Sequence, residues 1–584
     1  MTNITPRSSQ PRSQSPSQCQ CQPRPVRDVA DAYVVSLAEL NPLIGTSLGL
    51  RPGEDRLPDL SPAGQQAQDG LARATLAELD SVERDHRSAA AAADGDERRC
   101  GRLLRERLEA GLAMSSAGES LRAVSNLLGP VQRVRGIFPI MPADTEQDWA
   151  VIARRMARVP QALAGYRASL AEGARRGLLA APRQVRTVAG QLLEWTAAAG
   201  GRGWFADFAG SADVPQALRA DLDEAAAAAS SAVGELRRWL TADYLPRADG
   251  TPDGVGDERY RASARYWTGA DVDPAEAYEW GWSQYRLLLA EMRAEGQRVL
   301  PGATVAQAMR HLDAHSEVVN GTEQIRLRLQ LLMDEAIADL DGTHFDLAEP
   351  IRRVEARIAP AGSAAAPYYT GPSRDFARPG RTWLPTLGHT SFPLWNLIST
   401  WYHEGVPGHH LQLAQWMYLS SQLSLYQASV GGVSACSEGW ALYAERLMDE
   451  LGYLSPPGAR LGYLDAQIMR AIRVVIDIGM HLELRVPADS PVAPGEKWTP
   501  ELAREFFSAH SARSGQFIDS EITRYLSAPG QAVTYKLGER AWLAGRAAAR
   551  AARRGDFDLK AWHMAALSLG SLGLDDLTEE LASL

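Results

Sequence analysis

The chain has 584 residues, of which 45% are hydrophobic and 23% charged, and its formal net charge is −10. This is an ordinary globular composition, and an acidic balance without a basic stripe argues against nucleic acid as the main partner. No apolar run reaches about 18 residues and the start lacks the apolar centre of a secretory signal, so a cytoplasmic protein without a membrane partner is expected.

Residues 1–26 are rich in Ser, Pro, Gln and Arg and read as a disordered tail. Two of the four cysteines, Cys19 and Cys21, fall there; with Cys100 and Cys436 they are too few for a disulfide scaffold. From residue 27 the chain reads as mainly α. Ala, Leu, Glu and Arg recur at helical spacing over 67–130, 146–200, 213–243, 274–299, 303–340 and 540–584. Pro, Gly and Asp mark loops at 244–258 and 486–500, and 359–388 reads as a loop followed by a short extended segment. The first half, 27–358, carries few motifs and is expected to build one wall of a cleft. The chemistry-bearing residues fall in 359–584.

The strongest segment is Trp401-Tyr402-His403-Glu404-Gly405-Val406-Pro407-Gly408-His409-His410. A zinc hydrolase commonly places two His four residues apart on one helix, with a Glu beside the first as base. Here Pro407 stands where the second His would be. On an unbroken helix His409 lies about 120° around the axis from His403 and about 9 Å along it, while His410 returns to the face about 10.5 Å along. Neither could share an ion with His403. Pro407 removes a helical hydrogen bond and Gly405 and Gly408 permit unusual backbone angles, so a bend is predicted that returns a later His to the site. His409 is favoured over His410 as the ligand, leaving His410 to support a ligand from behind or to contact substrate or the oxyanion.

A third ligand should come from a later helix. Glu438 and Glu445 are seven residues apart and share a helical face; Glu438 is read as the ligand and Glu445 as the group that orients a ligating His from behind. Within Met469–Leu484, otherwise apolar, the residues Arg470, Arg473, Asp477 and His481 form one polar stripe. That stripe is either a solvent face with an Arg473–Asp477 salt bridge or the lining of a substrate site. In the second case Arg473, with Arg378 from the extended segment, holds a substrate carboxylate, and Asp477 and His481 line the same wall. Tyr525 and Tyr535 are candidate donors to an oxyanion.

Taken in order, His403–Gln412, Glu438–Glu445, Arg473–His481 and Pro529–Gly538, preceded by Asp55–Pro62, resemble the bacterial DUF885 family. The resemblance runs from about residue 27 to the end. It implies one large helical zincin-like metallopeptidase domain with a deep central cleft, related to helical carboxypeptidases and oligopeptidases. The expected activity is hydrolysis of a peptide or amide bond in a small peptide or N-acyl amino acid-like substrate, with Zn2+ as cofactor and Glu404 as base. The alternatives are an amidase that trims a specialised-metabolite precursor and a non-catalytic binding protein of the same fold.

Overall fold

A computed structural model describes residues 25–88, 95–196, 201–360, 366–511, 513–553 and 555–584. The expected disordered tail lies almost wholly outside the described residues, with Cys19, Cys21 and the alanine run 89–93. Helices dominate. Their starts follow elementary rules: Pro occupies the first turn of Pro42–Leu48, Pro182–Glu194 and Pro274–Val299, where its missing N–H costs nothing. Thr145 and Thr304 close reciprocal capping boxes with Asp148 and Gln307.

Two elements depart from those expected. The loop expected from residue 244 begins later, because helix Gln216–Trp239 continues through a π turn, Leu240–Tyr244, to Ala248; the Tyr244 hydroxyl accepts from Ala180 N at 3.0 Å and holds that turn inward. The helical stretch 303–340 is interrupted by strand β1 (Val318–Asn320).

The other strands are β2 (Val354–Ile358), β3 (Tyr368–Thr370), β4 (Gly380–Leu384) and β5 (Ser391–Pro393). β1 pairs antiparallel with β5, Val318 opposite Pro393. β4 lies between β2, parallel to it with Val354 opposite Gly380, and β3, antiparallel with Tyr368 opposite Trp383.

Six late helices carry the chemistry: α1 (Ile398–Glu404), α2 (His409–Tyr418), α3 (Ser434–Glu450), α4 (Ala459–His481), α5 (Gly515–Ser527) and α6 (Thr534–Ala552). α4 is the axis of the main core, and of its residues only Arg460 is not buried. Helix Pro274–Val299 lies close against it at Gly281, where a Cβ would stand 2.8 Å from Val474 Cγ1. Residues between Val124 and Ala248 form a second, separate hydrophobic cluster around Trp149, Leu163, Leu222 and Val233.

Candidate metal centre

The helix carrying His403 stops at Glu404, and the next begins at His409. Gly408 N donates to Tyr402 O at 3.0 Å, so the chain folds back over the turn it has just left. A Cβ at Gly408 would lie 2.0 Å from His403 O; only glycine lets the backbone approach so closely. The indole Nε1 of Trp440 donates to Pro407 O at 2.9 Å and Gly408 O at 3.2 Å, pinning the bend to α3. The bend read from Pro407 and Gly408 is therefore present, and it brings His409 beside His403, with ring centroids 4.8 Å apart.

Glu438 reaches both rings from α3. Its Oε2 is 3.4 Å from His403 Nε2 and 3.4 Å from His409 Nε2. That oxygen is buried and has no hydrogen bond, and His409 Nδ1 is likewise unpaired. Two nitrogens and one carboxylate oxygen thus converge within 4.8 Å of one another. Donors about 2.0–2.2 Å from a tetrahedral zinc ion are roughly 3.3 Å apart, so the residues fit such an ion. Burial pushes the Glu438 carboxyl up, but the two facing imidazoles outweigh it and hold it well below the usual range.

Behind His403, Nδ1 donates to Glu445 Oε1 at 2.9 Å, which leaves Nε2 facing Glu438. Glu445 is fully buried, accepts from Ser399 Oγ, and pairs with Arg470 at 3.4 Å. A carboxylate behind a ligating imidazole fixes its tautomer and orientation. Glu404 is 6% exposed, and its side chain makes no hydrogen bond among the described residues. Burial raises its pKa to about 8, Glu438 adds to the rise, and His409 opposes it. The His409 and Glu438 side chains retain 12% and 18% exposure, so the triad is reachable from one side.

Tyr535 enters from α6. Its ring lies nearly parallel to that of His403, with centroids 6.4 Å apart, and its hydroxyl makes no hydrogen bond among the described residues. Helix α6 is set against α3 by a glycine pair. A Cβ on Gly538 would stand 2.0 Å from Ala435 O, and one on Gly439 would stand 2.4 Å from Gly538 C. Sequence reasoning passed over this pair and over Glu521, because a contact between distant helices leaves no local pattern.

The other expected site residues are placed differently. His410 turns away from the triad. Its Nε2 donates to Ile351 O at 2.6 Å and its Nδ1 accepts from the Tyr369 hydroxyl at 3.0 Å. Burial lowers its pKa to about 4, so it is a neutral clamp between the bend and β3. Tyr525 is fully buried, donates to Glu521 Oε2 at 2.7 Å and accepts from Arg473 Nε at 2.8 Å, which leaves it no free donor. Arg378 donates to Gly371 O and Ser47 O and holds a loop. Asp477 accepts from the Tyr260 hydroxyl at 2.8 Å and Gly530 N at 3.0 Å, and His481 Nε2 meets Tyr525 O at 3.1 Å. The lower part of the stripe thus fastens α4 to its neighbours. The expected Arg473–Asp477 pair is replaced by an ion pair from Arg473 Nη2 to Glu521 at 2.7 Å. Cys100 and Cys436 are buried free thiols whose pKa burial raises to about 12, which makes them unreactive.

The family described as bacterial protein of unknown function (DUF885) matches residues 42–581. The chain belongs to this family. Two solved structures share its fold, proteins from Colwellia psychrerythraea and Shewanella oneidensis, each described as a putative lipoprotein. The first superposes with a TM-score of 0.81 at 21% identity, covering 96% of this chain and 98% of the other. The second gives 0.69 at 19% identity, covering 95% and 99%. No curated protein matches. Among the described residues, no helix is long and apolar enough to cross a membrane.

Proposed function

We propose that this DUF885 protein is a zinc-dependent hydrolase of peptide or amide bonds with a zincin-like arrangement. The observation that carries the reading is the convergence of His403, His409 and Glu438, with an unpaired buried carboxylate oxygen between the two imidazoles. These three residues would hold the ion and Glu445 would orient His403. When bound, zinc supplies Lewis acidity, polarising a carbonyl and easing deprotonation of water.

The chain's own residues supply the rest. Glu404 accepts the proton of the attacking water on a carboxylate oxygen and passes it to the leaving nitrogen as the C–N bond breaks. A buried carboxylate next to the first ligand is positioned for both halves of that transfer. The free Tyr535 hydroxyl donates to the oxyanion that forms on the carbonyl oxygen. An intact Glu404 beside the triad favours catalysis over a purely binding role.

Metal analysis of the purified protein, with hydrolysis of a mixed library of small peptides and N-acyl amino acids with and without chelator, tests the reading. About one zinc per chain and chelator-sensitive cleavage are expected. Glu404→Gln should keep the metal and lose about 10²–10⁴-fold in kcat; a Glu404→Gln protein as active as wild type sinks the mechanism.

A further inference from the structure

Around α4, three buried arginines, Arg470, Arg473 and Arg524, and the part-buried Arg513 lie beside acids. Arg470 pairs with Glu445 at 3.4 Å, and Arg513 with Asp465 at 3.2 Å. Arg473 and Arg524 both pair with Glu521, each at 2.7 Å. The neighbouring Tyr525 stays neutral, because burial raises its pKa well beyond the usual range.

The unused hydrogen-bonding capacity is localised. Arg524 is saturated by Glu521 and Gln531. Arg473 is 4% exposed; its Nε donates to Tyr525 and its Nη2 to Glu521, and among the described residues its Nη1 has no acceptor. Arg513 keeps Nε and Nη2 buried without a hydrogen bond, its approach to Asp465 being an ion pair only. The Arg473 guanidinium carbon lies 4.5 Å from the centroid of the Tyr535 ring, the ring that stacks on His403. A planar guanidinium with a free N–H, one aromatic ring from the triad, is suited to a carboxylate.

We propose that the substrate is a free acid whose carboxylate binds Arg473 at Nη1, with Arg513 as the second cation, while its scissile amide lies at the triad. This rests on the hydrolase reading and assigns that site's substrate class. Glu521 and Tyr525 act as positioning residues, since they fix two of the three guanidinium nitrogens and leave the third to the ligand.

A panel of N-acetyl dipeptides, each as the free acid and as its C-terminal carboxamide, tests this. Binding to full-length Glu404→Gln protein is measured by calorimetry with and without zinc, and hydrolysis is measured with wild type. The acids should bind about 10–100-fold more tightly than their amides, the range for a charge-assisted hydrogen bond. Arg473→Lys, which keeps the charge and loses the fork, and Arg513→Gln should each shrink that preference to under about threefold. Melting curves check folding; should Arg473→Lys not fold, Arg513→Gln decides. Equal binding of acid and amide, binding of neither, or an unchanged preference in the decisive variant overturns the proposal. Preferential binding of acids that wild type does not cleave supports the subsite and sinks the hydrolase reading. Cleavage of acid and amide with equal kcat/KM does the reverse.

Discussion

The helices between Val124 and Ala248 and those between Ile398 and Ala552 are both well packed, yet they bury different chemistry. The first set encloses an almost wholly apolar cluster. Its main exception is Arg155, whose Nε donates to Arg56 O and whose pKa burial lowers to about 10. The second set buries His403, Glu404, Glu445, Arg473, Glu521 and Arg524 within a few turns of one another. Buried charge is expensive unless paired, so its concentration in one region and near absence from the other marks where the fold accepts a cost. That contrast separates scaffold from candidate chemistry without reference to any relative.

Substitutions can break or sharpen this contrast. The largest effect is expected from Glu438→Ala and His409→Ala, which should reduce bound zinc from about one equivalent to under about a tenth, measured by metal analysis. Leu222→Ala, fully buried in the second cluster, should cost about 2–5 kcal/mol in denaturant unfolding while zinc content stays unchanged; a parallel loss of zinc would erase the distinction between the regions. Gly538→Ala should cost about 1–3 kcal/mol through overpacking and also lower kcat, because it moves Tyr535 relative to Glu438. His410→Phe should cost about 1–3 kcal/mol, since Ile351 O and the Tyr369 hydroxyl lose their partner, yet zinc content should hold. His409→Ala and His410→Phe therefore separate ligand from clamp.

The effect least visible at neutral pH is the acid limb of stability. Burial raises the Glu521 pKa, but Arg524 and Arg473 outweigh it and bring it to about 2. An unfolded glutamate titrates near about 4.3. Between those values the unfolded chain binds a proton that the folded one refuses. The contribution is therefore present above about pH 4 and lost as pH falls through about 2. Glu521→Gln should lower stability at pH 7 and flatten that limb in acid-unfolding curves.

Much of this was legible in the sequence where the signal is local. Pro407 and Gly408 announce a broken helix, and a seven-residue spacing puts Glu438 and Glu445 on one face, where Glu438 reaches both histidines and Glu445 reaches His403. Signals failed where a side chain's partner lies far along the chain. Nothing beside His410 reveals Ile351 O or Tyr369, nothing beside Arg378 reveals Ser47 O, and nothing beside Asp477 reveals Tyr260. Polar residues on an apolar helix were rightly read as a stripe, but helical spacing alone cannot separate a stripe that binds a ligand from one that fastens helices together.

The contact between Gly439 and Gly538 makes a ruler of two helices. Glu438 is one residue from the first glycine and Tyr535 is less than one turn from the second, so the span between the Glu438 carboxylate and the Tyr535 phenol is set where neither helix has a side chain. The helices cannot close further, and any added atom drives them apart. In the proposed hydrolase that gauge would set the width open to a reacting group, and a substrate lengthened along the arginines would leave it unchanged.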